Sequence, residues 1–182
     1  MANNLWHDVK PSRIRPEEFL AVIEIEKGSK NKYELDKETG SLILDRVLFT
    51  STHYPANYGF IPRTLSDDGD PLDVMVLCNE TIRPLSLVLC KPIGVILMED
   101  GGKKDEKIIA VPVNDPVYGT YNHIDQLPQH IFKEMQHFYT VYKALEEKTT
   151  VVDELQGPDE ARNIIDYCLS NYIKKFCSYT LA

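Results

Sequence analysis

Four carboxylates lie within eight residues, Ser66-Asp67-Asp68-Gly69-Asp70-Pro71-Leu72-Asp73. Like charges at that density repel one another, and a core gains nothing by burying them. Such a cluster suits a hard cation, because Mg2+ and Mn2+ take oxygen ligands and closely spaced aspartates can hold two of them side by side. Asp-Gly and Asp-Pro are also ordinary turn formers, so the same stretch reads equally as a solvated turn. On a locally extended chain Asp68 and Asp70 share one side, and a turn at Pro71 would bring Asp73 round to join them. An EF-hand loop is excluded by count: from Asp68 as first position, Asp73 stands where Gly is needed and Asn79 where Glu is needed.

Other residues carry weaker signals of the same chemistry. Asp100 and Asp105 flank the turn Gly101-Gly102-Lys103-Lys104, and Lys107 shares the face of Asp105 if a strand has begun there. Read alone, this is a charged surface hairpin. Lys32 and Glu34 share a face of one strand-like segment, and Glu24 interrupts another. Arg46 falls on the Leu42, Leu44, Leu48 face of an apolar strand, so its guanidinium must find an anion or reach solvent. Tyr54 and Tyr58 stand in a loop, residues 52–60, too aromatic for simple solvation. Tyr142 belongs to a helical apolar stripe and reads as core, and Lys143 beside it as solvent-facing. The five histidines show no ligand spacing, and P-loop, H-E-x-x-H and G-x-S-x-G motifs are absent.

The elements that must position these groups follow from periodicity. Strand-like runs cover 21–26, 32–36, 42–49, 72–78, 87–98 and 107–113, the fifth bent at Pro92 and Gly94. Beyond residue 125 the period becomes helical: Ile131, Met135, Phe138, Tyr142 and Leu145, with Asp125 placed to cap the start. Gly157-Pro158-Asp159-Glu160 opens a second helix whose apolar face runs from Ile164 to Phe176. Strands followed by two helices indicate an α+β fold with a mainly β core, and the bends suit an OB-like small closed β-barrel with the two C-terminal helices packed outside.

The length of 182 residues and a hydrophobic fraction of 43% fit one globular domain, 1–182. No apolar run is long enough to span a membrane and the first residues lack a signal-like apolar stretch, so the expected location is cytoplasmic. The net charge of −8 argues against binding nucleic acid or anionic membrane. Cys78, Cys90, Cys168 and Cys177 are scattered without C-x-x-C spacing and read as buried thiols.

The residues resemble the soluble family I inorganic pyrophosphatases, bacterial type, whose signature is D-x-D-P-x-D, here Asp68-Gly69-Asp70-Pro71-Leu72-Asp73. The resemblance extends in collinear order through Val22-Ile23-Glu24-Ile25, Lys32-Tyr33-Glu34, Asp45-Arg46, Tyr54-Pro55-Ala56-Asn57-Tyr58-Gly59, Gly94-Val95, Ala110-Val111-Pro112 and Tyr142-Lys143. It implies an OB-barrel homohexamer that hydrolyses inorganic pyrophosphate to two orthophosphates, using a Mg-activated water held between metals. It implies several Mg2+ ions per site, with Mn2+ as a substitute. Asp68, Asp73 and Asp105 would hold two activating metals, and Asp100 and Glu34 would help with further ions. Asp70 would be the general base. Lys32, Arg46, Lys107, Tyr142 and Lys143 would grip phosphate oxygens, with Tyr58 supporting them and Glu24 and Tyr54 behind. Gly101 departs from the pattern, standing where bacterial relatives often carry an acid.

Three other readings use the same residues. A metal-dependent phosphoesterase or nucleotide hydrolase would need a base-stacking pocket that the sequence does not supply. An OB-type oligonucleotide-binding module would place acids where a basic groove belongs. A Ca2+ binder would hold metal without hydrolysis.

Overall fold

In a computed structural model of the chain, residues 4–146 and 150–177 are described. Met1 and the end of the collinear stretch, Glu147 and Lys148, lie outside them. Strands β1 (Phe19–Ile25), β4 (Asn57–Phe60), β5 (Asp73–Val76), β6 (Leu87–Asp100), β7 (Lys103–Lys104), β8 (Lys107–Pro112) and β9 (Thr150–Gln156) form one mixed sheet, while β2 (Asn31–Leu35) and β3 (Leu42–Val47) pair as a separate hairpin. Helices α1 (Gln129–Val141) and α2 (Pro158–Tyr172) follow.

The α+β class with two late helices is as expected, but the closed barrel is corrected. The sheet runs β1-β4-β5-β8-β6-β7, with β9 joined to the far half of β6 and β1 also paired to its near end, so the strands form one branched seven-stranded mixed sheet in place of the expected simple closed barrel. The cause is the length of β6, fourteen residues with a register shift between Pro92 and Gly94. Its first residues, Leu87–Cys90, meet β1, Cys90–Ile96 run along β8 through the bend, and the residues beyond it serve β9 and β7. Pro lacks an N–H for the ladder, and Gly94 has no room for a side chain against Ile124 and the Gln156 carbonyl.

Three strands are additions to the sequence reading. β4 emerges from the tyrosine loop, whose alternation is hidden because all four of its residues are buried. β7 is the far arm of the Asp100–Asp105 turn, where Asp100 pairs with Lys103. β9 runs antiparallel to β6 from charged residues that carry no clean period. The start of the first helix also differs. Asp125 lies in a short turn, Ile124–Gln126, capped by the His123 ring, and α1 begins only after Pro128. α1 ends at Val141, so Tyr142 closes it and Leu145 stays exposed. α2 starts as expected behind Gly157 and Pro158, and a single π turn covers 173–177.

Two apolar layers sandwich the sheet. One packs Tyr54, Tyr58, Met75, Ile109 and Ile96 against Phe132, Met135 and Phe138 of α1. The other packs Ile23, Val74, Val95 and Ile108 against Ala161, Ile165 and Cys168 of α2. Alternation along β5 and β8 then decides where the polar ends point: Asp73 shares a face with Met75, and Lys107 with Ile109, so both emerge at the edge of the α1-side layer. Cys90 and Cys168 are buried, whereas Cys177 is exposed, contrary to expectation.

Gly59, paired with Ile23, leaves almost no room for a side chain. A Cβ on Gly59 would sit 1.8 Å from the Val22 carbonyl oxygen. Backbone on both sides cannot yield cheaply, so Gly59→Ala is expected to cost about 3 kcal/mol or more, measured as a lowered urea midpoint.

Candidate active site

The D-x-D-P-x-D loop is held by its own backbone and by the segment before it. Ser66 N–H donates to the Asp70 carbonyl at 2.8 Å, and Asp70 N–H donates to Asp68 Oδ1 at 3.0 Å. Gly69 sits at φ +98°, a conformation that L side chains rarely adopt. Leu72 N–H donates to Thr64 Oγ1 at 2.8 Å, while Trp6 Nε1 donates to the Thr64 carbonyl at 2.8 Å. The loop therefore curls back on itself, which presents its carboxylates to one side.

That side is a cavity of about 260 Å3. Asp68, Asp70 and Asp73 form one wall, and Asp100 and Asp105 enter from the β6–β8 turn. Lys32 and Glu34 enter from β2, Lys107 from β8, and Tyr142 and Lys143 from the end of α1. Tyr58 and Glu24 also line it. Two anticipated residues do not: Tyr54 is buried between Tyr58 and Phe138, with ring centroids 5.3 and 4.9 Å away, and Arg46 lies beside the cavity. Arg46 reaches it through a shared carboxylate, since Asp45 takes Arg46 Nη1 and also Lys32 Nζ at 3.3 Å.

Every cavity lysine meets a carboxylate. Lys107 Nζ lies 2.5 Å from both Asp73 Oδ2 and Asp105 Oδ1. Lys143 pairs with Asp100, Lys32 with Glu34, and Lys37 with Asp70. Lys143 is thus drawn inward, and Tyr142, though core-like at 5% exposure, keeps an edge on the cavity. The sequence alone assigns no role to Lys37, Asp45 or Glu146. Lys37 sits in a turn signal, and the Glu146 contact spans a hundred residues, which no local pattern reports. A larger cavity, about 510 Å3, lies behind the loop against α2; it contains Asp67, whose carboxylate accepts from Tyr167 OH at 3.0 Å. Asp67 is therefore tied down, not simply solvated.

The inorganic pyrophosphatase family profile matches residues 21–173. The chain belongs to that family, the soluble family I inorganic pyrophosphatases. The soluble inorganic pyrophosphatase 2 of Chlamydomonas reinhardtii is 47% identical over 171 residues, 94% of this chain and 89% of that protein. The inorganic pyrophosphatase of Helicobacter pylori superposes with a TM-score of 0.86 at 39% identity, covering 91% of this chain and 98% of that one. The enzyme from Thermus thermophilus gives 0.85 at 37% identity, covering 93% and 99%. This chain is accordingly an enzyme of pyrophosphate hydrolysis, of a family whose mechanism is metal-dependent. No helix among the described residues is long and apolar enough to cross a membrane.

The electrostatics of this pyrophosphatase fit a dication. Burial pushes the Asp73 carboxyl above its ordinary range even though Lys107 opposes the shift, and Asp105 adds to it. Burial works against charge on Lys107 too, but Asp73 and Asp105 outweigh it and hold the ammonium well above the lysine range. The cavity thus carries more carboxylate than its lysines neutralise, on an all-oxygen donor set that hard cations prefer. Among the described residues no three acid, His or Cys groups already stand as a ready-made metal cluster, because lysines separate the carboxylates. Burial also lifts the Tyr58 phenol well above its usual range, which keeps it a neutral donor.

Glu24 is the outlier. It is buried, accepts the Leu35 N–H at 2.7 Å, and burial raises its pKa to about 8 against that hydrogen bond. A raised folded-state pKa contributes stability that is complete below the ordinary value of 4.5 and is lost as pH rises through about 8. Relative to Glu24→Gln, the metal-free wild type is expected to lose roughly 2 kcal/mol or more between pH 5 and pH 9 in urea unfolding.

Proposed function

We propose that the cavity between the D-x-D-P-x-D loop, the Asp100–Asp105 turn and the end of α1 binds inorganic pyrophosphate and hydrolyses it to two orthophosphates. The observation that carries this reading is the convergence there of Asp68, Asp70, Asp73, Asp100 and Asp105 with Lys32, Lys107 and Lys143. Asp68, Asp73 and Asp105 would hold two Mg2+ ions, and Asp100 and Glu34 would help to hold others; when bound, these supply positive charge against the anion and bring the pKa of attacking water from about 15.7 to near 7.

The chain's own groups divide the remaining work. Asp70 accepts the proton of the attacking water. It suits that task because its backbone is fixed by Ser66 and Asp68 while its side chain stays largely exposed, with Lys37 as a displaceable partner. Lys32, Lys107 and Lys143 meet phosphate oxygens as point charges, exchanging carboxylate partners for substrate. Arg46 offers a planar fork, suited to two oxygens of one phosphoryl group. Tyr58 and Tyr142 donate neutral hydrogen bonds. Glu24 braces the β2 backbone at Leu35, and Tyr54 packs under Tyr58. Phosphoryl transfer passes through a loose transition state, so this positioning and charge supply most of the catalysis.

Two variants test the division of roles. Asp70→Asn is expected to bind Mg2+ or Mn2+ as the wild type does by titration calorimetry, yet lose about 100-fold or more in phosphate release. Asp73→Asn should lose both. Phosphate release by Asp70→Asn at the wild-type rate contradicts the base assignment. Substrate choice is checked separately: with Mg2+, pyrophosphate should be cleaved at least about 100-fold faster than ATP or a phosphomonoester, since the cavity is small and its lining is mostly charged.

A further inference from the structure

Arg46 is held in an unusual way. Its Nε donates to Glu146 Oε1 at 2.9 Å, and Nη1 donates to Asp45. Nη2 has no hydrogen-bond partner among the described residues and is shut off from solvent. A guanidinium is a rigid planar fork of five N–H groups, so fixing Nε fixes the direction in which the two Nη groups aim. Glu146 is the better buried of the two acids, its side chain 8% exposed against 35% for Asp45. Water competes little for that contact, and charge-assisted bonds of this kind are the stronger class.

Glu146 is itself anchored to the site. It ends the short turn Ala144–Glu146, and its N–H donates to the Lys143 carbonyl at 2.9 Å. Lys143 pairs with Asp100, and Tyr142 before it lines the cavity. The end of α1 thus delivers two groups to the cavity and, three residues on, a carboxylate to the far edge of Arg46. The β2–β3 hairpin that carries Arg46 is a separate two-stranded sheet, so this link crosses between elements that share no strand pairing.

We infer that Glu146 is a positioning residue for the reaction: it clamps the Nε edge of Arg46 and so sets the plane of the guanidinium beside the cavity, where Arg46 exchanges Asp45 for a phosphoryl oxygen of pyrophosphate. The inference rests on the proposed role of Arg46 in gripping substrate. Glu146 touches neither substrate nor the reacting atoms, so its removal acts on substrate affinity through Arg46 and leaves the chemical step largely alone.

The test is a cycle on the full chain with Mg-pyrophosphate, comparing wild type, Glu146→Gln, Glu146→Asp, Arg46→Lys and the double variant Glu146→Gln/Arg46→Lys. Glu146→Gln keeps the size and an acceptor, so the chain folds, with thermal unfolding as the control. Its KM is expected to rise about tenfold while kcat falls less than about threefold. Glu146→Asp should recover part of the loss, and the double variant should match Arg46→Lys to within about twofold, because the clamp has nothing left to hold. A lowered melting temperature with unchanged KM in Glu146→Gln overturns the inference and leaves Glu146 a structural tie. Multiplying effects in the double variant overturn it as well. If Arg46→Lys itself keeps the wild-type KM, the role of Arg46 falls, and the inference falls with it.

Discussion

A lysine ammonium buried between two aspartates is the interaction on which this molecule's site depends. Lys107 is 3% exposed and lies 2.5 Å from Asp73 and from Asp105, on adjacent parallel strands that place Asp73 and Lys107 side by side. Taking three charges out of water is costly, and their mutual attraction offsets that cost only when the geometry is tight. The rings of Tyr58 and Tyr139 flank the ammonium, with centroids 5.9 and 5.8 Å away, which adds cation–π attraction and excludes water. Removing the lysine charge would leave two carboxylates repelling each other at the mouth of the α1-side layer. The D-x-D-P-x-D loop and the Asp100–Asp105 turn both end at this point.

The same pattern of opposite charges recurs outward, with less burial at each step. Lys143 holds Asp100, Lys32 spans Glu34 and Asp45, and Lys37 reaches Asp70 while lying 4.8 Å from the centre of the Trp6 ring. Trp6 in turn bonds to the segment leading into the loop, so residues near the N-terminus brace it from behind. The outer pairs are more exposed and correspondingly weak. They exchange partners with an arriving anion or cation at less cost than the buried inner trio does.

Most of the residues that line the cavity are legible in the sequence because their spacing is local. Asp68, Asp70 and Asp73 sit within one turn, Asp100 and Asp105 flank another, and Tyr142 and Lys143 are neighbours. The strands with a continuous apolar run, β1 and β8, were equally plain. β4 was hidden because burial on both faces erased its alternation, and β9 because its residues alternate only loosely between apolar and charged. The closed barrel failed for a different reason: periodicity finds a bent strand at Pro92 and Gly94 but does not say which neighbours each half of it will take. Arg46 was flagged as needing an anion, yet its partner Glu146 lies a hundred residues away, and only the folded chain brings them together.

In the proposed function, the carboxylates around Lys107 hold the metal ions on which this pyrophosphatase depends. Crystals soaked in Mn2+, with an anomalous difference map collected near the manganese edge, test it most directly. Peaks are expected against Asp68, Asp73 and Asp105, with the Lys107 ammonium drawn away from at least one carboxylate. Manganese bound only elsewhere, such as in the larger cavity beside Asp67 and α2, would contradict it.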